Sequence, residues 1–229
     1  MAIPLSTICG VNADYTGISP VDTDSVARVS ANEFSRPDAL TLLLHRAVWQ
    51  PARYAHRDWL VSLGFHRYER WRYGEFPVLD NALNRALRAQ RGPICLPGRL
   101  DERQRRLAAL APNIPKYALA LGLLTLACSD YFLLPDYRHV LRHWLDNDLI
   151  WHLFGMCDNK HPAFYSPEQV IDAANRIGIA MLYRAATRDP VLQALLIQLP
   201  PLKQALYPVI PRATMNLLER MLCHCADSR

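Results

Sequence analysis

The residues best suited by type to bind a metal ion are histidines in the second half of the chain. His139 and His143 stand four apart in a helical pattern, so their imidazoles project from one face and could hold one ion together. Zinc-peptidase helices also carry a glutamate beside the first histidine, whereas Val140 stands there in this chain. A solvated polar face explains the pair equally well. Three further side chains follow at spacings that match no metal-binding pattern: His152, Cys157 and His161. We therefore predict no metal site.

Motifs that supply a catalytic nucleophile or a phosphate cradle are missing from the sequence. There is no G-x-S-x-G nucleophile elbow and no local cysteine-protease signature. The nine glycines are isolated, so neither a P-loop nor a G-x-G-x-x-G fingerprint can be drawn. The segment Cys223-His224-Cys225 lacks the second ligand pair of a closed tetrahedral zinc site. We predict a protein that is not an enzyme and uses no cofactor.

Aromatic and arginine side chains alternate in one stretch, residues 66–73, which reads HRYERWRY. This pattern could stack bases and hold phosphates, and the basic segment 85–106 could extend the same footprint. Three acids, Glu69, Glu75 and Asp80, interrupt the patch, and no helix-turn-helix or RNA-recognition signature accompanies it. A helical nucleic-acid-binding protein is therefore the alternative interpretation of these two segments.

The same arginines suit a protein partner, because a guanidinium pairs with carboxylates as readily as with phosphates. Segment 85–106 holds seven arginines and two acids, a net charge of +5 that equals the excess of the whole chain. Solvated helix faces would give the same pattern. We nevertheless expect a docking surface for an acidic partner, formed by Tyr68, Arg70, Trp71, Arg72, Arg85, Arg88, Arg91 and Arg103.

Composition indicates a globular chain: of 229 residues, 51% are hydrophobic and 21% are charged. The most apolar run, Tyr117–Cys128, is twelve residues long, whereas a membrane-spanning helix needs about 20. We therefore predict that it is a helix of the protein core and that the chain does not insert into a membrane. The six cysteines are scattered, which favours reduced thiols in a cytosol.

Helix start signals recur along the chain. Ser35-Arg36-Pro37-Asp38 predicts a capped start, Ser166-Pro167-Glu168-Gln169 predicts another, and Asp189-Pro190 repeats the pattern. Many of the 17 prolines stand at such starts or just past helix ends, and period-two alternation is nearly absent. We predict an all-α protein: a flexible tail over residues 1–34 and one helical domain over 35–229, a non-repetitive bundle of roughly seven to nine short helices.

Two short motifs resemble a known family. The first runs from Val48 to His56 and carries Trp49, Pro51, Tyr54 and His56 in the order apolar–x–Pro–x–x–Tyr–x–His. The second is Leu121-Gly122 within the apolar helix, followed by the helical YRHVLRHWLDNDLIWHLFG. Both resemble the SctK family of bacterial type III secretion accessory proteins, which includes YscK- and OrgA-like members. The long polar N-terminal tail and the arginine-rich segment depart from the family pattern.

The resemblance implies an all-helical, non-enzymatic adaptor of the cytosolic sorting platform. Such a protein links the cytoplasmic domain of the inner-membrane ring protein (SctD-like) to the pod protein (SctQ-like). Through the pods it connects indirectly to the secretion ATPase and its stator. The implied location is the cytoplasm, with recruitment to the cytosolic face of the inner membrane.

Overall fold

Prolines and capping side chains divide the chain into short helices. The computed structural model describes residues 38–202 apart from 159, together with 214–216, 218–220 and 222. Within that part the α-helices are α1 (Ala39–Trp49), α2 (Arg57–Ser62), α3 (Pro77–Arg91), α4 (Glu102–Ala109), α5 (Ile114–Leu126), α6 (Asp130–Leu133), α7 (Pro135–Leu141), α8 (Asn147–Met156), α9 (Pro167–Ala186) and α10 (Pro190–Leu195). Four 3-10 turns join them, and no strand occurs among the described residues. The described residues 214–216, 218–220 and 222 are also helical. The all-α prediction is confirmed. The predicted tail over residues 1–34 lies outside this part.

The helix caps agree with the sequence signals at two of the three predicted starts. At α9, Ser166 and Gln169 form a reciprocal capping box, with proline at the first helical position. At α10, the Asp189 carboxylate accepts hydrogen bonds from the backbone N–H groups of Val191 and Leu192. The prediction was wrong at α1, where the cap is Asp38 and not Ser35. The Asp38 carboxylate accepts from the Thr41 amide at 2.6 Å, so the helix begins at Ala39.

The centre of the bundle is α5, the apolar helix that sequence predicted for the core. Nine of its residues are buried, and its most extensive neighbour is α9. Among the described residues no single helix is long and apolar enough to cross a membrane; α4 and the run Ala111–Leu126 meet those criteria only together, as a pair bent by 50°.

Two glycines let α5 and α9 approach each other closely. A Cβ atom added at Gly122 would overlap the carbonyl oxygen of Ala174, and one added at Gly178 would overlap the carbonyl oxygen of Ala118. In each helix the small residues stand four apart, so they share one face and bring the backbones into contact. The Leu-Gly motif therefore has a packing role, because Leu121 and Gly122 are both buried in this interface region.

A second, smaller apolar cluster lies beside the main core. Its buried members come from the turn after α1, from α2 and α3, and from the 3-10 turn after α10: Ala52, Trp59, Leu60, Leu83, Leu87 and Ile197. Half-buried aromatic side chains complete it, including Tyr54, Phe65, Trp71 and Tyr73. This aromatic cluster packs α2 against α3, and α3 carries part of one of the surfaces described below.

Candidate docking surfaces

The proline motif near the start of the chain builds the aromatic cluster. Pro51 is buried and opens a 3-10 turn, and the amide of Ala52 donates to the Asn84 side chain of α3 at 3.0 Å. The indole N–H of Trp59 donates to the Leu199 carbonyl at 2.8 Å. The first bond ties the turn after α1 to α3, and the second ties α2 to the segment that follows α10. Most residues of the proline motif therefore stabilise the fold of this region.

His56 belongs to the same arrangement. Its backbone amide donates to the Ile197 carbonyl at 2.8 Å, and its Nδ1 accepts from the Asp58 amide at the start of α2. Burial lowers the pKa of His56 below its ordinary value, although the Asp58 carboxylate opposes that shift. A neutral imidazole suits its role, because an Nδ1 that accepts a hydrogen bond carries no proton.

Trp49 is the exception in the proline motif, since its side chain is 60% exposed. The guanidinium of Arg88, from α3, lies over its ring at 5.4 Å from the ring centroid. Arg88 is also held by its own helix, where its Nε donates to the Asn84 carbonyl at 3.3 Å. Trp49 and Arg88 thus form a stacked cation–π pair on the outside of α1 and α3. We call the part of the surface that carries Trp49 and Arg88 the α1–α3 surface.

The structure changes the interpretation of the aromatic–arginine stretch 66–73. The indole N–H of Trp71 donates to buried Asp80 at 2.9 Å, and the rings of Phe65 and Tyr73 pack edge-on against it. Trp71 is therefore a half-buried part of the aromatic cluster, and its indole N–H is already bonded within the protein. Arg70 and Arg72 remain exposed, and the backbone of Tyr68 begins a 3-10 turn.

Folding also divides the arginines of segment 85–106. The Arg91 guanidinium is half-buried: Nη1 donates to the Ala47 carbonyl, and Nη2 donates to the Gln193 and Ala194 carbonyls at 2.7 and 3.1 Å. Burial lowers the pKa of Arg91 to about 10. Arg91 thus joins α3 to the end of α1 and to α10, and its guanidinium is only partly accessible.

Arg103 is likewise an internal residue. Its guanidinium bonds the carboxylate of Asp189 at 2.6 Å and that of Glu219 at 3.4 Å. Glu219 is fully buried and also accepts from the Tyr117 hydroxyl at 3.3 Å. Burial raises the pKa of Glu219, while the Arg103 charge opposes that shift. Of the predicted docking arginines in this segment, Arg85 and Arg88 are therefore the two that stay exposed.

A second tryptophan–arginine pair lies on α7 and α8, where the tryptophan is exposed and the arginine is half-buried. The guanidinium of Arg138 lies 4.5 Å from the ring centroid of Trp151, whose side chain is 43% exposed. Arg138 also donates to the Asn147 side chain at 3.0 Å, which fixes the guanidinium over the ring. We call this the α7–α8 surface. The sequence analysis missed this pair, although both residues stand in the aromatic–basic run that follows the Leu-Gly motif.

Trp144 was assigned to the wrong face. Helical spacing over Pro135–Leu145 predicts one apolar stripe that contains Tyr137, Val140, Leu141, Trp144 and Leu145. Leu141 and Leu145 are buried as this stripe predicts, but Trp144 is 53% exposed. The reason is that α7 ends at Leu141, so the next residues leave the helical spacing. The exposed Trp144 is a further aromatic side chain on this side of the protein.

The histidine pair of α7 and its following turn lies on the protein surface. The rings of His139 and His143 meet edge to face at 5.2 Å, and His143 Nδ1 lies 2.9 Å from the His139 carbonyl. Across the described residues no group of three or more His, Cys, Asp or Glu side chains comes together in a metal-binding arrangement. The segment Cys223-His224-Cys225 lies outside the described residues.

The described residues define an all-α protein that presents two tryptophan–arginine surfaces, one on α1 and α3 and the other on α7 and α8. A family model described as a type III secretion system subunit matches residues 42–201, which is well over half of the chain and includes both surfaces. The chain belongs to this family of type III secretion system subunits. No curated protein and no solved structure matches the chain.

Proposed function

We propose that this subunit is a non-enzymatic adaptor of the type III secretion sorting platform. In this role it links the cytoplasmic domain of the inner-membrane ring protein to the pod protein, and through the pods to the ATPase complex. Family membership supports a place in the secretion machinery. The linking role goes further and rests on one observation, the presence of two tryptophan–arginine surfaces on different helices.

The two surfaces are carried by different parts of the bundle. The helices of the α1–α3 surface pack against the turn Pro51–Arg53, α4 and α10, whereas α7 and α8 pack against α5, α6 and α9. A partner that covers Trp49 and Arg88 would therefore leave Trp151 and Arg138 free for a second partner. An adaptor needs this separation, because it has to hold two proteins at once.

The chemistry of both surfaces suits protein recognition. Tryptophan and arginine are the residue types that contribute most binding energy in protein interfaces. Each guanidinium is already stacked on its ring and held by a hydrogen bond, Arg88 to the Asn84 carbonyl of its own helix and Arg138 to the Asn147 side chain of α8. Little side-chain freedom is therefore lost on binding. The strongest buried ionic cluster, Arg103 with Asp189 and Glu219, joins helices, which supports a structural use of the buried charges. We propose that the chain has no catalytic role.

Location follows from the proposed partners. The ring protein presents its cytoplasmic domain at the inner membrane, so the adaptor would reside in the cytoplasm and be recruited to that membrane face. The secretion ATPase and its stator would be indirect partners, reached through the pod protein.

Binding of single-surface variants to each partner tests this proposal. We would immobilise the ring protein's cytoplasmic domain or the pod protein and measure capture of the full chain by biolayer interferometry. The double variants are Trp49→Ala with Arg88→Glu, and Trp151→Ala with Arg138→Glu. We expect each to weaken one partner by about a hundredfold, about 3 kcal/mol, and to leave the other within about threefold.

The controls for this experiment separate binding from folding. Circular dichroism and thermal unfolding should match the unmodified chain, because both tryptophans are exposed. Failure of the unmodified chain to bind either protein would contradict the adaptor role. Tight binding to single-stranded nucleic acid, falling steeply with salt, would favour the nucleic-acid interpretation instead.

A further inference from the structure

Two depressions in the protein surface meet at the same arginine. The first, of about 350 Å³, lies between the ends of α1 and α3, where Val48, Trp49 and Arg88 contribute to its wall. The second, of about 260 Å³, lies between α3, α9 and α10, beside Tyr183 and Leu196. Arg91 and Ile94 line both. The larger depression is mostly apolar, and the smaller one is lined by polar and apolar groups in similar parts. We call the two depressions, with Arg91 at the midpoint where they share a wall, the Arg91 groove.

The charge at the midpoint has no counter-ion in the described part of the protein. Arg91 donates to three backbone carbonyls, and no described carboxylate lies within ion-pair distance of it. Three bonds use three of the five N–H groups of a guanidinium. The half-buried Arg103 has two carboxylate partners by contrast. Since the pKa of Arg91 is about 10, the group is charged at neutral pH.

The surroundings of the groove strengthen its preference for an anion. Neither depression is lined by an acidic side chain, and α1 contains no Asp or Glu between Ala39 and Trp49. The only acid of α3, Asp80, is buried and accepts hydrogen bonds from Trp71 and Gly74. Exposed Arg88 stands one turn before Arg91 and adds a second positive charge at the rim.

We propose that the Arg91 groove is the receptor for an acidic segment of a partner protein. An apolar side chain of that segment occupies the depression beside Trp49 and Ile94, and a neighbouring carboxylate pairs with Arg91 and Arg88. Apolar burial supplies affinity, while the carboxylate sets the register of the segment. The inference rests on the proposed adaptor function, because it names the kind of partner that the α1–α3 surface receives.

A peptide probe tests the chemistry of the groove. The probe is a fluorescein-labelled amphipathic peptide of leucine and glutamate, and the matched probe carries glutamine in place of each glutamate. Fluorescence anisotropy with the full chain measures both. We expect the glutamate peptide to bind about tenfold more tightly than the glutamine peptide, with an advantage that shrinks as salt is added. Equal affinity of the two peptides, or no binding of either, would overturn the proposal.

Two arginine variants locate the binding site. Arg88→Glu reverses the charge at the rim and should weaken the glutamate peptide by about tenfold or more. Arg176→Glu is the matched control: Arg176 is an exposed arginine of α9 whose Nε also donates to the carbonyl four residues earlier at 3.3 Å. It should bind the peptide within about twofold of the unmodified chain. An equal loss in both variants would show diffuse attraction to net charge and would refute a defined groove.

Competition with the full-length partners separates this inference from the adaptor proposal. Excess glutamate peptide should displace one of the two partner proteins from the chain and leave the other bound. If both partners bind and neither is displaced, the groove assignment is wrong and the adaptor role stands. If neither partner binds but the peptide results hold, the adaptor role is wrong and the groove stands. A change of oligomeric state in Arg88→Glu would identify a second copy of the chain as occupant and overturn the proposal.

Discussion

Arg103 places its positive charge between two carboxylates carried by different helices. Asp189 caps the N-terminus of α10, and the carboxylate of Glu219 is fully buried. One oxygen of Glu219 accepts from Arg103 and Tyr117. When one partner of such a buried cluster is removed, the remaining charges lose their compensation and the cost is large. The contribution of Arg103 is therefore best measured by its removal.

We predict that Arg103→Met lowers the free energy of unfolding by about 3–5 kcal/mol at neutral pH. Urea unfolding followed by circular dichroism measures the change. The control is Arg105→Met on the same helix, an exposed position that should change stability by less than about 0.5 kcal/mol. A loss in Arg103→Met no larger than in the control would show that the ion pairs contribute little.

The same variant should respond to pH in a defined direction. Burial already raises the pKa of Glu219, and loss of the opposing Arg103 charge raises that pKa further. A native-state pKa above the unfolded value means that the native state binds more protons, so stability falls as pH rises through that window. The deficit of Arg103→Met should therefore shrink when urea unfolding is repeated at about pH 5. A deficit that grows on acidification would contradict this account.

At the scale of elements, the crossing of α5 and α9 decides how the bundle packs. Its two contact glycines face backbone atoms of the opposite helix, so a larger residue has no flexible side chain to push aside. Any Cβ atom there would drive the helices apart along a well-packed interface.

We predict that Gly122→Ala and Gly178→Ala each lower the free energy of unfolding by about 3 kcal/mol or more, or prevent folding altogether. Gly155→Ala in α8 is the matched control, because nothing lies within 4 Å of an added Cβ atom there. That control should be neutral or should stabilise the protein by up to about 1 kcal/mol, since alanine favours a helix more than glycine does. Thermal unfolding of the three variants gives the comparison. Equal behaviour of all three would argue against the close crossing.

Helices with strong local start signals could be predicted from the sequence, but the contacts between helices could not. The capping box at Ser166 and the proline start at Pro190 specify helix starts by hydrogen bonds within a few residues. Gly178 could have been noticed only by its spacing of four from Ala174, because its role depends on the pairing of α9 with α5. Trp144 was misplaced because a stripe of apolar residues does not reveal where a helix stops.

For the molecule as a whole, the charge composition of the sequence did not predict which arginines lie on the protein surface. Segment 85–106 has a net charge of +5 in sequence, but folding moves Arg91 and Arg103 into contacts with residues 102 and 86 positions away along the chain. Arg106 pairs with Glu102 one turn earlier. Long-range contacts of this kind depend on the tertiary fold, so composition alone predicted a broader basic surface than the protein presents.

Family resemblance was the better guide to function. The proline motif and the Leu-Gly motif lie within the matched region, residues 42–201, and most of their residues are parts of the folded scaffold. The run that follows the Leu-Gly motif contains Arg138 and Trp151, but their contact could not be predicted because it depends on how α7 packs beside α8.

Formation of a three-protein complex would require both tryptophan–arginine surfaces to be occupied at once. The full chain would be mixed with the pod protein and the ring protein's cytoplasmic domain, and the molar mass would be measured by size-exclusion chromatography with light scattering. We expect one species that contains all three proteins, because the α1–α3 and α7–α8 surfaces are carried by different helices. Two mutually exclusive pairwise complexes, or no complex at all, would contradict it.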